Sequence, residues 1–415
     1  MGSAATVANV PLILKNVWDD TITDYFNDEQ PFMGLVKHDT SWDGLYRLIT
    51  VATGGMAGRS ATFGDAKANK SPTTYLQMQV GVRDNFATWS VDHKLITLSR
   101  NDRGALVRAL TAQTEAATMK LKASQNFMNW RDGGGCVGRA SSLSTTTATL
   151  YDLNDIRNFD IGDVIEFAAD SGVAAGGVSP ASATITGLNE DTGVITFDIN
   201  IVTGIPGITA TPYLFHKGDY NLAFYGVPSY CTLEAPGVGI VPASIWGMAR
   251  TAYPTLLAGS RFTASNLLVV EAIKKALATA YRRKIETTHL FMPPEVFNDI
   301  EMSIQGQKRY VEEKVGGIGY QALVFTTQGG KSVKCYADAD IPKNSTATTK
   351  YIFGLNLPEF KFHTAGEYPG WLNTVANGAG KFMTEQNANA TEGRLGGYGQ
   401  LYTNSPKQHW NLALT

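Results

Sequence analysis

The sequence contains few cysteines, and none of them lie close together. Its 415 residues include three, Cys136, Cys231 and Cys335. They form no CxxC pair and have no histidine nearby, which excludes a zinc knuckle and a disulfide framework and favours folding in a reducing compartment. Long apolar runs are missing as well. The short run at residues 10–14 is soon followed by charged residues, so we expect neither a signal peptide nor a membrane span.

The chain also lacks a strong excess of charge of either sign. It carries 35 basic and 37 acidic residues, which gives a formal net charge of -2. A charge so close to zero provides no global field that would draw the protein to nucleic acid or to an anionic membrane. Hydrophobic residues make up 43% of the sequence. That content is enough for a large core, and the length predicts two or three domains.

Signatures of catalysis and metal binding are absent. Six histidines are scattered without a metal-ligand spacing: His38, His93, His216, His289, His363 and His409. No serine stands in a G-x-S-x-G elbow. Acidic pairs such as Asp338 and Asp340 are typical of solvated turns, and a catalytic role would need a pocket. We therefore predict no catalytic residue, no metal ion and no cofactor, in a protein that is not an enzyme.

Two glycine patterns resemble nucleotide-binding loops but stand in the wrong context. Gly133, Gly135 and Gly138 satisfy G-x-G-x-x-G, yet a dinucleotide site needs a strand before these glycines and a helix after them. Here a predicted helix precedes them, so we interpret them as a helix end. Residues 330–332 (Gly-Lys-Ser) end like a phosphate loop, but Phe325 stands where that motif requires glycine. A β-turn is favoured there.

The strongest helical pattern runs through residues 101–131. Apolar and small residues recur at alternating steps of three and four, which places them on one face of an α-helix. Alanine is abundant, and no glycine or proline occurs between Gly104 and Gly133. We predict one helix of about 45 Å, which we call the spine helix. The residues predicted to pack from this face are Leu110, Ala117, Leu121 and Met128.

The residues before the spine helix predict an arm and a long ribbon. Residues 1–44 lack periodicity and fit an arm that packs on another part. Residues 45–52 predict a strand, and residues 73–82 and 86–91 predict a second strand pair, with glycines and basic residues between them. Such a ribbon buries too little to be stable alone in water. It must therefore lie on a partner, either its own domain or another subunit. Its length and its polar tip, which contains Arg59, Phe63, Lys67 and Lys70, favour another subunit.

The residues directly after the spine helix predict an inserted β unit. Residues 136–149 read as a Ser/Thr/Gly linker, and an all-β block follows up to about residue 225. Within this block four apolar residues alternate with polar ones, as in a half-buried strand. They are Ile195, Phe197, Ile199 and Ile201. The pattern indicates a small β-barrel or sandwich.

The last third of the chain alternates helices and strands. Residues 266–284 predict a helix capped by Ser265, and Pro294 fits the first turn of the next helix. Short strands are expected near residues 290–292, 322–326, 333–337 and 351–355. Apolar residues alternate again at the C-terminus, at Trp410, Leu412 and Leu414. We predict that this last strand covers the apolar face of the spine helix.

This order of parts resembles that of the major capsid proteins of tailed bacteriophages, whose fold is named after phage Hong Kong 97. Residues 102–106 (Asp-Arg-Gly-Ala-Leu) and 129–135 (Asn-Trp-Arg-Asp-Gly-Gly-Gly) look like the two ends of the long helix in one capsid subfamily. Residues 159–163, 185–197 and 397–406 look like segments of its insertion and C-terminal region. The resemblance covers nearly the whole chain, but its motifs are patterns of folding residues.

The resemblance implies an α+β fold with six regions. They are an N-terminal arm (1–44), an extended E-loop ribbon (45–91), the spine helix of the P-domain (92–136), an inserted small all-β domain (137–226), an A-domain (227–352) and C-terminal P-domain strands (353–415). It also implies assembly, through hexamers and pentamers, into an icosahedral shell around the genome of a tailed double-stranded DNA phage. The protein would then be made in the host bacterial cytoplasm and end in the virion.

The resemblance also implies partners. Some relatives carry a long N-terminal scaffolding domain that this chain does not show, so we expect a separate scaffolding protein or an already trimmed chain. A portal, a decoration protein and packaged DNA bound without sequence specificity would be further partners. Two alternatives stay open: an encapsulin-like bacterial compartment shell, made less favourable by the long ribbon and the β insertion, and a soluble α/β enzyme.

Overall fold

The structure is a computed structural model. It describes residues 31–40, 46–53, 58–93, 103–173, 176–238, 241–304, 323–327, 329–343, 349–365, 368, 370–372, 382–384 and 389–415. Its helices are α1 (Pro31–Leu35), α2 (Phe63–Ala68), α3 (Arg103–Asn129), α4 (Ile201–Gly204), α5 (Val227–Tyr230), α6 (Pro254–Leu257), α7 (Val269–Arg282) and α8 (Pro294–Ile304). Its strands are β1 (Lys37–Asp39), β2 (Tyr46–Thr53), β3 (Thr74–Gly81), β4 (Arg83–Asp92), β5 (Cys136–Leu143), β6 (Thr147–Leu150), β7 (Val164–Ala168), β8 (Val178–Asn189), β9 (Val194–Phe197), β10 (Tyr213–His216), β11 (Ser244–Ile245), β12 (Met248–Ala249), β13 (Ser260–Ala264), β14 (His289–Met292), β15 (Leu323–Thr326), β16 (Ser332–Ala337), β17 (Lys350–Leu355), β18 (Phe360–Thr364), β19 (Gly370–Trp371), β20 (Phe382–Thr384), β21 (Ala390–Thr403) and β22 (Trp410–Leu414).

The longest helix backs one of two large sheets. This helix, α3, is the predicted spine helix, and it runs without interruption from Arg103 to Asn129. It packs against β4 and β21 of a six-stranded sheet, which we call the spine sheet. β21 is the central strand: β18, β19 and β20 pair along one of its edges, and β4 pairs along the other. Helix and sheet thus form two packed layers.

The second large sheet has the strand order β13-β22-β17-β14-β16-β15. α7 packs against β13, β22 and α8, and α8 packs against β16. Both helices were predicted, and α8 begins at Pro294 as expected. The predicted cap at Ser265 is wrong, because α7 begins at Val269 after an N-cap at Leu268. Asn266 has a φ of 56°. A residue in this left-handed conformation cannot belong to a right-handed helix.

The inserted β unit is a closed six-stranded barrel with the strand order β10-β5-β6-β9-β8-β7. The interpretation of residues 136–149 as a linker is wrong, since they contain β5 and β6. The small residues that suggested a linker include Ala140 and Ala148, which are fully buried in the barrel core. A small barrel has little interior space, so side chains of this size suit it.

The alternating run at residues 195–201 is only partly a strand. β9 ends at Phe197, and Ile201 begins the short helix α4. The side chain of Asn200 caps this helix by accepting hydrogen bonds from the backbone N–H groups of Val202 and Thr203. The apolar pattern therefore overestimated the length of the strand, because a helix cap follows shortly after Phe197.

The strand pairing predicted for the ribbon is wrong. β3 pairs with β2 in an antiparallel two-stranded ribbon, in register from Tyr46 opposite Gly81 to Thr53 opposite Thr74. β4 leaves this ribbon and pairs with β21 in the spine sheet. We use "the ribbon" below for β2, β3 and the residues between them. The ribbon is therefore shorter than residues 45–91, because residues 83–91 of that range belong to β4 in the main body.

The prediction that the C-terminal strand covers the spine helix is also wrong. β22 pairs in parallel with β13 and antiparallel with β17, inside the second sheet. Trp410 and Leu412 are buried in the core between that sheet and α7, and Leu414 packs at its edge. An alternating apolar pattern specifies that one face of a strand is buried, but it does not specify which element buries it. The predicted region 353–415 thus divides between the two sheets.

Part of the predicted arm belongs to the folded body. Residues 1–30 and 41–44 lie outside the described residues. α1 and β1 pack on the rest of the chain: Phe32 is fully buried, and β1 pairs in parallel with β18. The arm therefore extends the spine sheet by one strand.

The spine helix ends in the central hydrophobic cluster of the molecule. Trp130, directly after α3, is fully buried, and its ring centroid lies 5.0 Å from Phe32, 5.5 Å from Phe291 of β14 and 5.4 Å from Phe353 of β17. Its indole Nε1 donates a hydrogen bond to Oδ2 of Asp338 at 2.9 Å. The cluster joins the helix end, α1 and the second sheet, and we call it the central cluster.

Both glycine patterns have structural roles. Gly133 and Gly135 have φ angles of 86° and 88°, and β5 follows them, so the interpretation as a helix end is confirmed. A Cβ at Gly134 would lie 1.8 Å from the carbonyl oxygen of Ser171, so this segment also lets a barrel loop approach closely. Gly330, with a φ of 75°, lies in the turn between β15 and β16. The β-turn interpretation is confirmed as well.

The spine helix offers a direct test of its packing. Leu121 is 2% exposed, in a helix that packs against β4 and β21. Leu121→Ala should lower the free energy of unfolding by about 2–5 kcal/mol, because it removes buried volume from a packed layer. Glu115→Ala, at an exposed position of the same helix, should change it by less than about 0.5 kcal/mol. Urea unfolding measures both, and equal small effects would contradict the assigned face.

Candidate functional site

The four residues predicted for the ribbon tip lie together at its outer end. The tip contains a short helix, α2, that the sequence did not predict. Thr62 caps it by accepting a hydrogen bond from the backbone N–H of Asp65 at 3.3 Å. A Cβ at Gly58 would lie 2.0 Å from the carbonyl oxygen of Ala66, so the chain folds tightly onto this helix. The exposed residues of the tip include Arg59, Phe63, Lys67 and Lys70.

The tip exposes an unusual combination of residues. Phe63 is 85% exposed, the highest value among the large apolar residues described. Three basic side chains accompany it, and Asp65 is the acidic residue of α2. The tip therefore presents one exposed apolar ring beside three basic side chains.

The two faces of the ribbon differ in burial. Residues opposite each other in an antiparallel pair share one face. Ile49 and Met78 are such a pair, and both are buried in the central cluster. The opposite face is open, with Tyr46 and Leu48 each 55% exposed and Tyr75 66% exposed. The ribbon base is thus part of the subunit core, which corrects the expectation that the ribbon depends wholly on another subunit.

Sequence reasoning missed the open apolar face. The pairing register brings Tyr46, Leu48 and Tyr75 to one side of the ribbon. The signal in the sequence is that apolar residues occupy both faces of these strands, and not one face alone. A strand that is apolar on both faces is expected to be covered on both. Trp246 lies at the base of this face, yet all three side chains stay more than half exposed in the described part of the chain.

The spine-helix residues do not form a ligand site. Leu121 is buried, and Ala117 and Met128 are half-buried on the same helix. Leu110 lies in α3 at a position whose side chain is outside the described part. Met128 packs on the central cluster. These residues hold the subunit together and offer no chemistry.

A cleft of about 380 Å³ lies where the end of the spine helix, the barrel and the second sheet meet. Its charged residues pair with each other across the three parts. Arg157 of the barrel donates to Oδ1 of Asp340 at 2.5 Å. Arg131 donates to the backbone carbonyl of Asp340 at 2.9 Å and lies 3.4 Å from Oδ1 of Asp155. This network joins the barrel to the rest of the subunit, and we call the region the joint.

Two carboxyl groups near the joint are shielded from water, Asp338 fully and Asp155 in part. Asp338 is 4% exposed, so the interpretation of this acidic pair as a solvated turn is wrong for Asp338. Burial, together with the neighbouring Asp340, raises the pKa of Asp338 to about 7. Burial also raises the pKa of Asp155 to about 6, although Arg131 opposes this shift. The pKa values of both carboxyl groups therefore lie well above that of an exposed aspartate, which is about 3.9.

The raised pKa of Asp338 predicts a pH dependence of stability. A carboxyl group whose pKa is higher in the folded chain than in the unfolded chain (about 3.9) binds its proton more tightly when folded. Its contribution to stability is lost as the pH rises from about 4 to about 7. Asp338→Asn cannot titrate, so the wild-type protein should lose up to about 1.4 kcal/mol per pH unit relative to the variant. Urea unfolding of both proteins at about pH 5 and about pH 7 measures this, and parallel pH profiles would contradict the assignment.

The histidines described in the core are packing residues. His363 and His409 are both fully buried. Nε2 of His409 shares a hydrogen bond with the hydroxyl of Thr403 at 2.9 Å, and burial lowers the pKa of His409 to about 3. Across the described ranges, no group of three or more histidine, cysteine or acidic residues has the geometry to hold a metal ion. None of the helices seen there is long and apolar enough to cross a membrane.

Comparison with known proteins finds similarity in structure alone. No protein-family model matches the sequence, and no curated protein matches it. A capsid chain of cyanophage A-1(L) matches with a TM-score of 0.54 and 12% identity, over 96% of each chain. A chain of Mycobacterium phage Ogopogo matches with a TM-score of 0.46 and 9% identity, over 100% of both chains. A chain of the encapsulin complex of Synechococcus elongatus matches with a TM-score of 0.45 and 9% identity, over 99% of this chain and 95% of that one.

The likeness to the cyanophage A-1(L) capsid chain extends along nearly the whole length of both proteins. The protein therefore has the fold of a phage capsid protein, and the predicted α+β class is confirmed. At 12% identity the likeness concerns the fold.

Proposed function

We propose that this protein is the major capsid protein of a tailed double-stranded DNA phage and that it assembles with copies of itself into an icosahedral shell. The observation that supports this most is a ribbon whose base lies in the subunit core while its outer face and tip are open, on a chain with a capsid fold. An exposed apolar row on a protruding element is stable in water when a neighbouring subunit covers it.

Each region has a role in this proposal. The ribbon corresponds to the E-loop and lies over a neighbouring subunit, with Phe63 and the three basic tip residues as contacts. The spine helix and spine sheet form the P-domain, and the second sheet with α7 and α8 forms the A-domain, which meets its copies in hexamers and pentamers. The barrel is the inserted domain. The protein acts as a structural component of the virion and not as an enzyme.

The proposal also includes partners. A separate scaffolding protein would guide assembly, a portal would occupy one vertex, and packaged DNA would lie inside without base-specific contacts. The net charge of -2 agrees with a shell whose interior does not bind DNA strongly. A decoration protein would bind the outer surface. Synthesis would take place in the bacterial cytoplasm.

Particle size tests the proposal. Expression of the full chain in a bacterial host, followed by sedimentation and negative-stain microscopy, should give closed particles of megadalton mass. A soluble enzyme would instead sediment as a small species, with 44.7 kDa for the monomer. A protein that stays monomeric under all assembly conditions, with and without its scaffold, would contradict the proposal.

The contents of the particles then separate a virus from a bacterial compartment. A phage shell that matures in infected cells should contain nuclease-protected DNA. An encapsulin-like compartment should contain a co-purifying cargo protein and no protected genome. Both kinds of particle are expected to be closed shells, so this second measurement is needed.

A further inference from the structure

The core contains an arginine that is fully buried. Arg250 is 1% exposed and lies directly after the short β11–β12 hairpin. Its Nη2 donates to the backbone carbonyl of Ser229 in α5. Its Nε is buried and has no hydrogen-bond partner among the described residues. Guanidinium groups normally satisfy these donors, because a buried donor without an acceptor costs about 1–3 kcal/mol.

No carboxylate in the described part of the chain forms an ion pair with Arg250. The described ion pairs involve other arginines, lysines and His216, and burial raises the pKa of the neighbouring Tyr230, which keeps its hydroxyl neutral. Burial lowers the pKa of Arg250 to about 10, which still leaves it charged in ordinary buffers. A buried charge without a counter-charge is strongly unfavourable, so a counter-ion has to be sought around it.

The space beside Arg250 has the size of one small ion. A cavity of about 20 Å³ is lined by Arg250, Ser229 and Asp132, and otherwise mostly by apolar side chains. This is room for one water-sized species and excludes polyatomic anions such as sulfate. The hydroxyl of Ser229 is also buried and lacks a partner. Two residues from different elements, Arg250 and Ser229, therefore line the same small space, and each has a buried polar atom without a partner.

Asp132 is the obvious alternative counter-ion, but its carboxylate is otherwise engaged. Oδ1 accepts from the backbone N–H of Gly134 at 3.0 Å, and Oδ2 accepts from the hydroxyl of Ser171 at 2.9 Å. Burial raises the pKa of Asp132, whereas these two hydrogen bonds and the charge of Arg131 lower it. The donors around this cavity therefore suit an acceptor that carries negative charge.

We propose that this cavity binds one small monovalent anion of the size of chloride, held by the guanidinium of Arg250 and the hydroxyl of Ser229. The ion neutralises the buried charge and bridges α5 to the segment after the β11–β12 hairpin. Because it binds the folded chain and not the unfolded one, it stabilises the fold in proportion to its concentration. This site is independent of the capsid function.

Thermal unfolding of the full chain in sodium chloride, against sodium gluconate and sodium sulfate at matched ionic strength, tests the site. The melting temperature should rise with chloride by roughly 2 °C for each tenfold increase above the dissociation constant, and not with gluconate. Sulfate stabilises folded proteins generally because it is excluded from their surface, so any rise in sulfate should be the same in Arg250→Met. Asp132→Asn should keep this response, and so should Arg282→Met, which removes an exposed arginine. Arg250→Met should abolish it.

A second measurement covers the case in which Arg250→Met does not fold. Chloride-35 NMR of the wild-type chain should show saturable line broadening that bromide competes away. Ser229→Ala removes one donor and should weaken the binding several-fold. A wild-type protein with no chloride-specific response in either measurement would overturn the proposal and leave a water in the cavity. A response that persists in Arg250→Met, or one that Asp132→Asn abolishes, would overturn it as well.

Discussion

Replacing residues 54–73 by Asn-Gly should abolish closed shells while the subunit stays folded. Thr53 and Thr74 are the last paired residues of the ribbon, and a two-residue Asn-Gly turn joins such a pair without strain. The change removes α2 and the whole tip but leaves Ile49 and Met78 in the central cluster. We expect a melting temperature within about 2 °C of the wild-type value and at least a tenfold loss of particles in sedimentation.

A single substitution distinguishes a role of the tip in contacts between subunits from a role in folding. Phe63 is 85% exposed, so Phe63→Ser removes almost no contact within the subunit and should reduce assembly without lowering the melting temperature. Ile161, on the barrel, is 69% exposed, and Ile161→Ser serves as the matched control.

If the shortened ribbon unfolds the subunit, the tip belongs to the core. If shells of the shortened chain still close, the tip takes no part in assembly.

Trp130→Ala should cause the largest loss of stability of any single substitution considered. Removal of a fully buried tryptophan costs about 3–5 kcal/mol. It also removes the donor to Oδ2 of the buried carboxyl of Asp338, whose Oδ1 keeps the backbone N–H of Asp340, and this loss adds about 1–3 kcal/mol. The sum approaches the total stability of a typical domain, about 5–15 kcal/mol. We expect largely insoluble or partly unfolded protein and no particles.

Trp130→Phe separates the two contributions. It keeps an aromatic ring near Phe32, Phe291 and Phe353 but has no N–H to donate, so it should cost less than the alanine variant and still shift the pH dependence of Asp338. Urea unfolding measures both variants. A loss of less than about 1 kcal/mol in Trp130→Ala would show that the central cluster does not depend on this residue.

The sequence predicted the elements of this fold well, because their signals are local. Spacing and alanine content predicted the spine helix, and the glycines after it ended the helix where expected. The strands and helices of the second sheet appeared close to their predicted positions. Errors arose where a residue suits two structures. Ala140 and Ala148 are small, as in a linker, yet they fill a barrel core.

The tip of the ribbon was predicted as a region but not as a structure. The basic residues and glycines of residues 54–71 indicated an exposed segment, and Arg59, Phe63, Lys67 and Lys70 are indeed exposed. The open apolar face of the ribbon was missed, because it depends on the register between β2 and β3. A shift of one residue would turn the other face outward.

The sequence by itself determined that a long helix, a β insertion and an alternating α/β region follow one another in this chain. Only the tertiary structure decided which faces meet. β22 lies under α7 and not on the spine helix, and the packing of the chain buries Asp338 where Trp130, more than 200 positions earlier, donates a hydrogen bond to it. Local periodicity records that a face is to be buried. The packing of the whole chain determines which element covers that face. Many apolar faces of similar size compete, and the arrangement in which they fit together best has the lowest free energy.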